Sequence, residues 1–192
     1  HDVLQVSKDL LGMQLGTTID GHRTAGIIVE TEAYRAPDDT ACHARNNLRT
    51  SRTEVMFAQG GVAYVYLCYG IHHLFNVVTA EEDMAQAVLV RAIEPVENTD
   101  QMLQRRGLDR VKPQLTAGPG VMSKALGINA SHNKVDLTRS DSPIWISDAG
   151  RRYAPIDIES GIRVGVGNSG ASADWPWRFW IKDSPWVSKW KR

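Results

Sequence analysis

The segment "VETEAY" (29–34) closes an apolar run with two carboxylates and a phenol. Glu30 and Glu32 share one face of a strand, because side chains alternate with period two. Carboxylates at the end of an apolar strand, leading into a Pro-Asp loop, are suited to general-base chemistry. The plainer alternative is that they cap a sheet edge and pair with an arginine. Arg91 sits in the middle of "AVLVRAIEP" (87–95). An arginine inside an apolar strand is costly unless paired, so it is expected to meet Glu30 or Glu32.

A second concentration of chemistry is "AYVYLCYG" (63–70), with three tyrosines in eight positions. Tyr64 and Tyr66 have one parity and face one way. Tyr69 has the other parity and directly precedes Gly70, a turn or bulge position. Tyr64 lies deeper along the strand, and core packing is its expected task. Adding Tyr34, His43 in the following loop and Asn76 on the return strand gives several rings, one buried acid and few polar groups. That combination suits a flat heterocycle.

Strand-like runs at 25–34, 62–70, 72–80, 87–95, 143–148 and 177–183 would carry these groups, with "GIRVGVG" (161–167) as a further short strand. The runs at 62–70 and 72–80 nearly meet at Gly70, which predicts a tight hairpin. Helices are expected at the start of the chain, around 99–108, and around 121–128 behind "AGPG". Many strands joined by short turns, with few helices, predict a mixed α/β (α+β) single domain over 1–192.

Other patterns are set aside on physical grounds. Gly165-Val166-Gly167-Asn168-Ser169-Gly170 satisfies G-x-G-x-x-G, but "ASADWPWRFW" follows it with a proline and bulky rings instead of a helix. No cofactor loop is expected there, and no cofactor elsewhere. The six histidines give no metal spacing: His72 and His73 are adjacent and would point to opposite faces, and Cys42-His43 lacks a companion pair. Cys42 and Cys68 read as reduced thiols. No apolar run is long enough to cross a bilayer, so no membrane partner is expected. The opening "HDVLQVSKDLLG" reads as helix rather than signal peptide, and the His1 start without Met is expected of a trimmed chain or of one whose leader, with any localisation signal, is missing. Net charge is zero, from 22 basic and 22 acidic residues, which argues against a purely non-specific grip on nucleic acid. Basic residues nevertheless cluster at Arg45, Arg49 and Arg52, at Arg105, Arg106, Arg110 and Lys112, and at Lys182, Lys189, Lys191 and Arg192.

Taken in order, "ETEAY", "AYVYLCYGIHHLFN", "AVLVRAIEP", "AGPG", "ALGI", "RVGVG" and "PWRFWIKDSPWVS" resemble the successive motifs of the 3-methyladenine (alkyladenine) DNA glycosylase family, from about residue 3 to 188. The resemblance implies a largely antiparallel curved sheet with a protruding β-hairpin and flanking helices. It also implies a monofunctional enzyme of base excision repair, with double-stranded DNA containing a damaged purine as partner. Glu32 would activate water against C1′ of a flipped nucleotide, and Arg91 would help hold acid and water. Tyr34 and Tyr66 would sandwich the base, and His43 would form the pocket wall. Asn76 would crowd the 2-amino group of guanine, and Tyr69 would fill the gap left in the duplex. Substrates would include 3-methyladenine, 7-methylguanine, hypoxanthine and ethenoadenine. A monomer is expected, in the bacterial cytoplasm at the nucleoid or in a eukaryotic nucleus.

Two positions depart from the family pattern. Val121 stands where a Lys or Arg usually follows "GPG", with Lys124 the nearest base, and Glu54 stands where a neutral or basic side chain would favour DNA. Weaker and less salt-tolerant DNA binding than in strongly basic members is therefore expected. Two competing readings are a damaged-DNA-binding module of the same fold that has lost turnover, and a small-molecule enzyme such as a formyl transferase. The retained Glu32, Tyr34, Tyr66, Asn76 and Arg91 speak against the first, and the Tyr69 wedge against the second.

Overall fold

The computed structural model describes residues 2–189. Lys191 and Arg192, at the end of the C-terminal basic cluster, lie outside the described residues. The chain opens with helix α1 (Val3–Asp9), whose Asp2 cap accepts from the Leu4 N–H at 3.0 Å. Strands β1 (Gln14–Ile19) and β2 (His22–Arg35) follow as a hairpin. After a loop with two short 3₁₀ turns come β3 (Ala63–Cys68), β4 (His72–Val78) and β5 (Gln86–Glu97). Helices α2 (Thr99–Arg106) and α3 (Pro119–Leu126) each stop at a left-handed glycine, Gly107 and Gly127. The short strands β6 (Ile144–Ser147), β7 (Ile158–Gly161) and β8 (Arg178–Ile181) complete the chain.

All pairings are antiparallel, and one open sheet runs β3-β4-β5-β2-β1-β6, with β8 joining β2 and β7 joining β8. This is an α+β domain. Its helices pack on the sheet and bury a core that includes Ile28, Phe75, Ile93, Met122 and Leu126. Each such side chain contributes about 1.5–3 kcal/mol on leaving water. A smaller apolar cluster around Cys42, Met56, Phe57 and Tyr64 lies beneath the loop that follows β2.

The decisive element is β2. Residues 22–27 pair with β1 on one edge, and residues 30–32 pair with β8 on that same side, while β5 runs along the other. The register with β5 shifts around Glu30, where β2 changes partners. Glu30 and Glu32 therefore do not sit at a strand end, as the sequence suggests, but in a fully buried stretch between β5 and β8. The ladder carries on to Arg35 because β5 keeps pairing with β2 as far as Gln86, although β8 pairs only with residues 30–32.

One further expectation is corrected. Residues 161–167 form not a strand but a strand end and a loop: β7 stops at Gly161, and Arg163 and Val164 bond to side chains of β2 and its loop instead of to a ladder. β1 escapes an apolar-run reading because "QLGTTI" is half polar. Its Gly16 leaves room for the Trp145 ring, which would lie 2.1 Å from a Cβ there. In the second basic cluster, Arg105 turns inward and donates to the carbonyls of Ile19 and Ala125, so it is a structural cap.

Candidate active site

The elements above enclose a cavity of about 630 Å³ between β2, the β3–β4 hairpin, the start of α3 and the loop after β7. Glu32, Tyr34, His43, Tyr66, Asn76 and Arg91 all line it, and Tyr69 stands at its rim. The seven site residues nominated from the sequence thus converge on one chamber. No group of three or more metal-ligating side chains occurs among the described residues.

Glu32 is fully buried, and both carboxylate oxygens have partners. Oε1 accepts from the Val164 N–H at 2.7 Å and lies 3.2 Å from Arg91 Nη1. Oε2 accepts from the Tyr34 hydroxyl at 2.7 Å. Arg91 meets not one acid but two: its Nε donates to Glu30 Oε1 at 2.7 Å. Burial alone would drive its charge off, yet the fields of Glu32 and Glu30 outweigh that and hold the guanidinium above its ordinary range. Glu30 also accepts from Arg178 Nε at 2.7 Å and from the Ser188 N–H and hydroxyl at 2.7 and 2.8 Å. Two acids and two arginines therefore balance within one dry cluster.

The aromatic wall faces this acid. Tyr66 lies 5.2 Å from Tyr64 and 4.8 Å from His43, centroid to centroid. Tyr64 is packed in the core, 2% exposed, but its hydroxyl also reaches His43 Nδ1 at 2.9 Å, so it orients that ring as well. Burial, with Arg52 and Arg45 nearby, pushes the His43 pKa down to about 4, which keeps the imidazole neutral. Burial, reinforced by Glu32, pushes the Tyr34 phenol well above its ordinary value, so it remains a donor. Asn76 Nδ2 donates to the Tyr64 carbonyl at 3.0 Å, which pins its amide across the hairpin.

The hairpin ends in a tight turn in which Tyr69 and Gly70 both have positive φ, 51° and 73°, and the Ile71 N–H returns to the Cys68 carbonyl. This conformation throws Tyr69 outward, 91% exposed, with Leu67 and Ile71 beside it. His72 lies against Gly120, where a Cβ would come within 2.6 Å of its ring, so hairpin and α3 are in close contact. Val121 lines the cavity from the first turn of α3, Lys124 is exposed in the last, and Glu54 pairs with Arg49 at 3.1 Å.

Several site residues went unnoticed in the sequence. Arg178, inside "RFWI", obeys the same rule that flagged Arg91 and was findable by it. The inward turn of Arg163, the Val164 N–H and the role of Asp39 depend on loops closing across more than a hundred residues, and no local spacing announces them. Arg163 is fully buried and grips Asp39 with two bonds of 2.5 and 2.8 Å.

Comparisons with known proteins bear on the family of the whole chain. The family model described as methylpurine-DNA glycosylase matches residues 1–185. A Chlamydia felis protein named "Putative 3-methyladenine DNA glycosylase" is 46% identical over 179 residues, covering 93% of this chain and 90% of its own. Proteins of the same name from Bacillus subtilis and Clostridium botulinum are 44% and 43% identical, covering 97% and 98% of this chain. With the match running through β2, the hairpin, β5 and the loop after β7, which together build the chamber, this chain belongs to the methylpurine-DNA glycosylase family.

Proposed function

We propose that this protein is a monofunctional DNA glycosylase that removes damaged purines from duplex DNA. The observation that carries the reading is the anchored Glu32 carboxylate, held by Arg91, Val164 and Tyr34 at one side of an aromatic chamber with an exposed tyrosine at its rim. The damaged nucleotide swings out of the stack into the chamber, and Tyr69 fills the gap it leaves. The base lies between Tyr34 and Tyr66, against His43, with Asn76 excluding the 2-amino group of normal guanine.

Glu32 takes a proton from water as its oxygen bonds to C1′. The bond from C1′ to the base nitrogen breaks through an oxocarbenium-like state, releasing the base and an abasic sugar. Buried Arg91 keeps Glu32 in position, and no covalent intermediate forms. Alkylation at N3 of adenine or N7 of guanine makes the base cationic, which improves both stacking on electron-rich rings and departure. Hypoxanthine and ethenoadenine, being neutral, rely on pocket shape and protonation as they leave. No cofactor is required, and the protein acts as a monomer wherever the cell keeps its DNA.

The test uses duplexes with one lesion each, scored for alkali-labile abasic sites, with wild type beside Glu32→Gln. Wild type is expected to excise, and the variant to bind the lesion duplex with little excision. Release of none of the four bases by wild type would refute the reading and favour a binding module. Strand cleavage without alkali would refute the hydrolytic step.

A further inference from the structure

Tyr34 lines the chamber. Over the ring lies the guanidinium of Arg163, 4.7 Å from the ring centroid; Arg163 is buried to 1% exposure and is not part of the chamber wall. A cation stacked on the hidden face of an aromatic platform draws on the same ring electrons that a cationic ligand on the open face would use. At roughly 8 Å across the ring, the two like charges would also repel, by a Coulomb term that is substantial in a dry interior.

Asp39 changes this balance. Its carboxylate pairs with Arg163 at 2.5 and 2.8 Å, and both side chains are fully buried, so the cation is neutralised where it stands. Further bonds from Arg163 to the carbonyls of Ala33 (2.9 Å) and Ser172 (3.0 Å) hold the guanidinium against the ring, so it cannot move aside. Asp39 is not part of the chamber wall; besides Arg163 it accepts the Ala41 N–H at 3.0 Å, a backbone bond that Asp39→Asn can keep, while its charge reaches a ligand through Arg163 and the Tyr34 ring.

We infer that Asp39 is a specificity-determining residue: by neutralising Arg163 behind the Tyr34 ring, it keeps that ring receptive to a positively charged base. The inference rests on the proposed stacking of the flipped base on Tyr34. It assigns the preference between cationic and neutral lesions to a buried ion pair outside the pocket wall.

The experiment compares single-turnover excision of 7-methylguanine, which is cationic, and hypoxanthine, which is neutral, from otherwise identical duplexes at saturating protein. Asp39→Asn leaves the buried arginine charge uncompensated and is expected to lower the ratio of 7-methylguanine to hypoxanthine excision about tenfold. Asp39→Ser, which removes the same charge with different packing, should lower it similarly. The double variant Asp39→Asn/Arg163→Gln has no charge beneath the ring and should return the ratio to near wild type. Equal losses on both lesions, or a double variant with the ratio still depressed, would overturn the inference, because a merely structural defect spares neither lesion. Failure of wild type to excise either base would refute the proposed function itself, a different outcome from an unchanged ratio.

Discussion

The Tyr34 hydroxyl donates to Glu32 Oε2 at 2.7 Å, so the ring proposed to receive the base also fixes the acid proposed to activate water. The two residues are two apart on one strand and share its face, which is what lets one side chain serve the other. Tyr34→Phe keeps the ring and removes the donor. Excision should fall about tenfold, the scale of one lost charge-assisted bond. Affinity for lesion duplex should change little. Single-turnover rates set against binding isotherms check this, and a loss confined to affinity would contradict it.

Glu30 is fully buried and satisfies Arg91, Arg178 and Ser188 together. Glu30→Gln takes the carboxylate away from both arginines, leaving Arg91 with Glu32 and Arg178 with the Ser188 carbonyl, and turns an amide donor toward groups that already donate. The expected cost is about 3–5 kcal/mol, that of breaking a buried ion pair by removing one partner. Urea unfolding would register it as a lower midpoint with an unchanged slope.

Tyr69→Ala should leave stability within about 0.5 kcal/mol, since the side chain is 91% exposed. Activity is expected to fall more on a paired lesion than on the same lesion in single-stranded DNA, where no gap needs filling. Equal loss on both substrates would remove the wedge role.

His43 titrates at about 4 in the folded chain, below its ordinary value near 6.5, chiefly because it is buried. Between those two values the unfolded chain binds the proton more readily than the folded one. Stability from this group is therefore present above about pH 6.5 and lost as pH falls toward 4. Wild type should lose stability across that window relative to His43→Gln, measured by urea unfolding at a series of pH values. Parallel curves would contradict the buried, neutral histidine.

Much of the fold was legible because its elements are local. The hairpin followed from two tyrosine-rich and valine-rich runs meeting at Gly70, and α3 from "AGPG" ahead of an apolar stretch. The failures were also physical. β1 has too few apolar residues to stand out, and it is held by β2 and β6 on either side. The 161–167 run has strand composition, but Arg163 and Val164 find stronger partners in Asp39 and Glu32 than a ladder would provide.

The sequence by itself determined which groups had to be placed and paired: two acids in phase, an arginine too costly to leave unpaired, and three tyrosines divided by parity. Period-two alternation and the cost of a buried charge are local rules, and they hold wherever the strand is placed. Tertiary structure alone decided that Arg91 bridges both acids, that the Val164 N–H anchors Glu32, and that Arg163, paired with Asp39, stacks over Tyr34. Those contacts join segments 59 to 132 residues apart, and only loop closure over a shared core brings such groups within hydrogen-bond reach.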